Sequence, residues 1–393
     1  MCWGGVGFYG QCMRIAPAFT VALALLAVAA CSSLDSGAGP KAVGPPTTVS
    51  PTRVEQVRAD IDALVGIGIT GVIATLTENG QTVTLTSGVA DRATGATIPM
   101  SPPQQVRVGS IAKTFIAAII LQLVEEDRVR LDDPVDTYLP GLLVGDGVDG
   151  KAITVRQLLQ HRSGLPEFSD DPSVDEYRAG LDGRTSTPAE EVELALRKPA
   201  QFAPGTQYRY TNTNYIVAGM LVEKVTGEKY SDEITGRVTI PQQLSDTYLP
   251  DTGELDIRGP HPHGYATIDG VRTDVTRIEP SVPWAAGALV STGADLNRFW
   301  AALLAGKIVA DAQLEEMLAG EPQEEGSPLR YGLGVGTIEL PCGAQYFGHT
   351  GGITGFITLS GATREGRAVT ITMTEETEAE VDMLDLLSHA LCP

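Results

Sequence analysis

Arg107-Val108-Gly109-Ser110-Ile111-Ala112-Lys113-Thr114 is the stretch on which the reading of this chain turns. From Ile111 to Val124 every position is apolar except Lys113, Thr114 and Gln122. The pattern predicts a helix buried on nearly every side, which makes a lysine in its first turn unusual. Ser110 and Lys113 stand at i and i+3, so one helical turn brings the amine beside the hydroxyl. A serine hydroxyl needs a base to act as a nucleophile. A lysine set among Ile111, Phe115 and Ile119 loses hydration and so favours its neutral, basic form. The free amides of the first helical turn, at the positive end of the helix dipole, can stabilise an oxyanion beside Ser110.

Ser-x-x-Lys occurs once in the chain, and two further elements stand downstream of it. Gln207 to Tyr215 holds the only Tyr-x-Asn, at Tyr210 and Asn212, and Phe347-Gly348-His349-Thr350-Gly351-Gly352 follows much later. Tyr210 near Lys113 could pass a proton between Ser110 and a leaving group, its phenolate stabilised by the ammonium. Asn212 offers amide donors and an acceptor without charge. A strand through His349 to Gly352 could pair edge-on with an extended substrate, its glycines letting the ligand come close to the main chain. No Gly-x-Ser-x-Gly turn is present, and His261 and His263 have no nucleophile motif nearby.

With its three motifs in this order, the sequence from about Val54 to Pro393 resembles the penicillin-binding DD-peptidases and class C type β-lactamases. His161-Arg162-Ser163-Gly164-Leu165-Pro166, Ala203-Pro204-Gly205 and Gly287 to Thr292 fit the same family. The resemblance implies Ser110 as acylated nucleophile, with Lys113, Tyr210, Asn212 and His349 as its catalytic partners. It also implies substrate binding along Thr350, Gly351 and Gly352, and an oxyanion hole from the amides of Ser110 and Gly352. No cofactor is required. His-Thr-Gly in place of the commoner Lys-Thr-Gly is similar to secreted actinobacterial D-alanyl-D-alanine carboxypeptidases. Those relatives carry an arginine on the strand before the first late cysteine to hold the substrate's terminal carboxylate. Gly334 to Pro341 has none, and Arg330 lies earlier. An esterase or β-lactamase of the same fold is therefore an alternative, and a non-catalytic envelope protein that binds peptide or penicillin is another.

The fold expected is α/β in the α+β sense: an antiparallel sheet built from both chain ends and flanked by helices, with a mostly helical region inserted over about 133–274. Val54 to Val65 reads as a helix, and Gly71 to Leu76 and Thr82 to Gly88 as a hairpin about Asn79-Gly80. Late strands are expected in Tyr331 to Leu340, Tyr346 to Leu359 and Ala368 to Thr374, then a helix over Ala379 to Leu391.

The chain has 393 residues, 42% hydrophobic and 20% charged, a composition that supports a large core. Residues 1–30 hold one base, Arg14, and no acid, so the remainder carries 27 Lys+Arg against 49 Asp+Glu. Such a surface repels nucleic acid and anionic lipid. Ile15 to Ala30 is an apolar stretch of signal-peptide length, with Met13 a plausible start. Val28-Ala29-Ala30-Cys31 resembles a bacterial lipobox, so residues 1–30 are expected to be removed and Cys31 lipidated. Residues 31–52 would then tether the folded body, 53–393, to the outer face of the cell membrane. Cys342 and Cys392 remain, as a disulfide or as two buried thiols; the resemblance implies the disulfide. No metal-binding pattern appears. The partners expected are a small-molecule or peptide substrate and the membrane.

Overall fold

The computed structural model describes residues 48–377, 379 and 381–393. The signal, most of the tether and Cys31 lie outside the described residues. Helix α1 (Pro51–Gly66) starts at a proline, whose missing N–H costs nothing at a helix start. Strands β1 (Gly71–Glu78) and β2 (Gln81–Asp91) pair antiparallel about Asn79 and Gly80, both with positive φ, as a two-residue hairpin requires.

The main sheet also contains β3 (Ala96–Thr97), β4 (Glu321–Pro322), β5 (Arg330–Tyr331), β6 (Gly336–Glu339), β7 (Gln345–Ile353), β8 (Phe356–Thr363) and β9 (Arg367–Met373). Their order is β4-β5-β6-β7-β8-β9-β1-β2-β3, antiparallel throughout, so β1 of one chain end pairs with β9 of the other. Arg53 binds the Glu78 carboxylate and donates to the Ala390 carbonyl at 2.9 Å, while Arg367 reaches Glu78 at 3.1 Å. These bonds tie α1 and the last helix to the strand pair where the two ends meet.

Three expectations need correcting. The run Tyr346 to Leu359 is a hairpin, because Gly355 takes a φ of +86° and turns β7 back into β8. The run Tyr331 to Leu340 is two strands, interrupted where Gly332 N–H bonds the Val335 carbonyl at 2.8 Å. The closing helix begins at Met383, where the Asp382 side chain accepts from the amides of Leu384 and Asp385.

Each face of the sheet is covered. Val72, Ala74 and Leu76 of β1 pack with Val57, Ile61 and Leu64 of α1 and with Leu387 and Leu391 of the closing helix. The opposite face meets helix α4 (Gly293–Leu304) and, beyond it, helix α2 (Ala112–Glu125). Phe299 of α4 stacks on Phe115 of α2, with ring centroids 3.9 Å apart. Trp300 donates to Ser360 of β8 at 3.0 Å. Helix α2 is buried at all but three of its fourteen positions. Within 133–274 the chain forms short helices, helix α3 (Thr213–Thr226) and two small hairpins.

Candidate active site

Ser110 occupies a single 3-10 turn, Gly109–Ile111, immediately before α2. The turn is held from below by a short strand pair, Val106–Arg107 with Val290–Ser291, and by the Val108 amide on the Leu289 carbonyl at 3.0 Å. It is held from the side by β7. A Cβ on Gly351 would meet the Val108 carbonyl oxygen at 1.9 Å and the Ser110 nitrogen at 3.2 Å. A Cβ on Gly109, whose φ is +55°, would meet the Gly352 oxygen at 2.6 Å. Only glycines allow the two main chains this approach. Strand β6 pairs with β7 no further than Gly348, so from His349 onward this edge of β7 has no strand partner among the described residues.

Lys113 is fully buried, and its Nζ lies 2.8 Å from Ser110 Oγ, 2.8 Å from Asn212 Oδ1 and 2.7 Å from the Ala286 carbonyl. Burial brings its pKa down to about 7, against a smaller upward pull from Glu167. A neutral amine has two hydrogens and a lone pair. Asn212 and Ala286 can only accept there, so the hydrogens go to them and the lone pair faces the Ser110 hydroxyl. Asn212 sits at the start of α3, where the Tyr215 and Ile216 amides bond its carbonyl.

Tyr210 is half-buried beside Ser110 with its hydroxyl out of solvent, and that hydroxyl approaches the serine without reaching hydrogen-bond geometry. Its ring lies 5.1 Å from Lys113 Nζ. Burial pushes its pKa well above the usual phenol value, with the Ser110 contact opposing. At rest, a phenol with a buried hydroxyl beside a lysine that is itself half neutral near pH 7 keeps its proton.

His349 is buried on β7, and its Nδ1 meets the Thr350 carbonyl. A carbonyl only accepts, so Nδ1 carries the proton and Nε2 accepts from the Tyr331 hydroxyl at 2.8 Å. Burial lowers its pKa to about 3, with Lys113 adding to the effect, so the ring is neutral. Tyr331 on β5 faces His349; its neighbour Arg330 alternates to the other side, where Nε donates to the Gly320 carbonyl at 2.8 Å. The candidate substitute for a carboxylate-holding arginine is thus exposed and turned from His349.

Cys342 and Cys392 are joined sulfur to sulfur at 2.03 Å, fastening the end of the closing helix to the turn before β7. His261 and His263 lie elsewhere, on the Gly259 carbonyl and on Asp274. Among the described residues no group of His, Cys, Asp and Glu could hold a metal ion.

Three participants escaped the sequence reading. The Ala286 carbonyl carries no side-chain signal. His161, at the start of the run that ends in Pro166, packs against Tyr210 with centroids 4.1 Å apart and rings tilted by 31°, and its Nδ1 receives the Thr211 amide at 3.2 Å. Glu167, just past Pro166, accepts the Asn212 amide at 2.6 Å.

The family model described as Beta-lactamase matches residues 57–390. A D-stereospecific amidohydrolase from Streptomyces sp. superposes with a TM-score of 0.78 at 33% identity, covering 85% of this chain and 98% of that one. The D-amino acid amidase of Ochrobactrum anthropi SV3, complexed with L-phenylalanine amide, gives 0.72 at 27% identity, covering 86% and 98%. Penicillin-binding protein 4 of Amycolatopsis lactamdurans is 28% identical over 222 residues, 56% of each chain. With the family match running through Ser110, Lys113, Tyr210 and His349 alike, the chain belongs to the Beta-lactamase family of serine hydrolases.

Proposed function

We propose that this chain is an envelope-anchored serine amidohydrolase acting on D-configured acyl donors through an acyl-enzyme on Ser110. The observation that carries it is the 2.8 Å contact of Ser110 Oγ with a buried Lys113. The Lys113 amine takes the hydroxyl proton as Oγ attacks the substrate carbonyl carbon. The C–N bond then breaks, and the leaving amine receives a proton from the Tyr210 phenol, which is refilled from the Lys113 ammonium. Water next attacks the ester carbon, giving up a proton by the reverse route, and the acid leaves while Ser110 regains its proton. The amides of Ser110 and Gly352 serve the oxyanion, and the open edge of β7 aligns the acyl donor.

Two donors fit this chemistry: a D-alanyl-D-alanine peptide end and a D-amino acid amide. The absence of an arginine from Gly334 to Pro341 and the turn of Arg330 away from His349 favour the amide, since no carboxylate need be held, and the 33% identity to a D-stereospecific amidohydrolase supports the same choice. The decisive measurement sets D-alanine release from a D-alanyl-D-alanine peptide beside hydrolysis of D- and L-phenylalanine amide and of a penicillin. Faster D-amide turnover is expected; equal rates on the two enantiomers would overturn D-specificity. A labelled fluorophosphonate or penicillin should add to Ser110 by mass spectrometry, and no adduct would favour a non-catalytic binder. Lipidation at Cys31 belongs to the same proposal: Cys31→Ala should move the protein from the membrane to the soluble fraction.

A further inference from the structure

The mechanism above leaves unused a buried carboxylate next to its base. Glu167 lies in the loop before the short turn Phe168–Asp170 and is 3% exposed. Its Oε2 accepts the Asn212 amide at 2.6 Å and its Oε1 the Ser169 amide at 3.1 Å. Both oxygens therefore act as acceptors, the pattern of an ionised carboxylate held by main-chain donors. The bond to Asn212 is one step from the chemistry, because Asn212 Oδ1 receives Lys113 Nζ at 2.8 Å.

We infer that Glu167 is a positioning residue for Lys113: through the main-chain amide it fixes Asn212, whose side-chain oxygen receives the catalytic amine, and it sets a carboxyl group on the amine's side of the site.

The charged and titratable surroundings leave this role to Glu167. Facing Lys113 are His161 and His349, both neutral through burial, and the phenols Tyr210 and Tyr215. Facing Glu167 is Glu191, on the helix Pro188–Leu196, whose pKa burial raises to about 9, so at neutral pH it is an uncharged acid. The Lys198 ammonium bonds the Glu167 carbonyl at 3.3 Å and Asp170 at 3.3 Å, on the main-chain side of the residue. Burial pushes the Glu167 carboxyl up, and the amides of Asn212 and Ser169 together with Lys113 oppose it; of these groups Glu167 is the acid that carries main-chain donors on both oxygens, and its attraction offsets part of the desolvation of Lys113. The sign follows. Without that charge the ammonium is harder to keep, and Lys113 becomes a free base at lower pH.

The inference rests on the acylation reading of Ser110, and one experiment separates the two. The second-order rate of Ser110 labelling by a fluorophosphonate, in which the O–P bond forms as P–F breaks and Lys113 takes the proton, is measured against pH. Three forms of the full chain are compared: wild type, Glu167→Gln and Glu191→Gln. Glu167→Gln keeps an oxygen for the Asn212 amide and removes the charge. Its acid limb should move down by about one pH unit with a plateau within about threefold of wild type. Glu191→Gln should leave the limb in place. Glu167→Ala, which loses both functions, should label at least about tenfold more slowly on the plateau. A labelled wild type whose profile superposes on that of Glu167→Gln overturns this inference alone, as does an equal shift in Glu191→Gln. A wild type that takes no label overturns the acylation reading and this inference with it.

Discussion

At the scale of single residues, the site works because Lys113 is a poor place for a charge. Its pKa of about 7 lies far below that of a solvated lysine, and the direction follows from burial. Acylation needs the free amine, so the rate of Ser110 labelling should rise with pH through about 7 and level off above about 8. A profile that keeps rising towards pH 10 would mean an ordinary lysine. Tyr210→Phe should retain Ser110 labelling by fluorophosphonate, whose fluoride leaves without a proton, and should lose amide turnover by about a hundredfold or more. Equal losses in both assays would place Tyr210 with the base rather than the leaving group. Ser-x-x-Lys, Tyr-x-Asn and His-Thr-Gly were legible in the chain because each is local. Glu167 was not, since a single acid after a proline says nothing about a partner 45 residues away.

At the scale of elements, β7 and the Ser110 turn form one unit through glycines. Gly351→Ala would drive a Cβ into the Val108 carbonyl, at 1.9 Å in the present geometry, and push the strand off the turn. A displacement of about an ångström at a catalytic constellation costs roughly a hundredfold in rate. The labelling rate of Gly351→Ala should fall by that order while circular dichroism still reports a folded protein. Wild-type labelling in this variant would mean that the turn and the strand adjust independently. The element types were largely readable from periodicity: α1, the Asn79-Gly80 hairpin and α2 follow the sequence pattern closely. The late strands were misjudged at Gly355 and around Gly332 to Val335, where turns sit inside apolar runs and leave alternation nearly intact.

At the scale of the whole molecule, stability depends on joining two distant chain ends. The Cys342–Cys392 bond spans 50 residues, and Cys392→Ser should lower unfolding free energy by about 2–4 kcal/mol, read by denaturant titration with and without reductant. An unchanged midpoint would show the closing helix to be held by packing alone. The acid side has a definite sign. His349 titrates at about 3 when folded and near 6.5 when unfolded, so the unfolded chain takes up its proton first. That contribution is fully present above about pH 6.5 and is lost as pH falls towards 3. The melting temperature should drop across this window, and His349→Gln should flatten the drop. What the sequence by itself determined is the chemistry and the main elements: a lysine one turn after a serine in an apolar helix dictates a buried base, and the two ends carry the strands of one sheet. Tertiary structure decided the protonation states and the partners. Burial depth, the Ala286 carbonyl 173 residues from Lys113 and the Glu167 carboxylate 45 residues from Asn212 all arise from separate segments brought together, and a local pattern holds no record of such pairings.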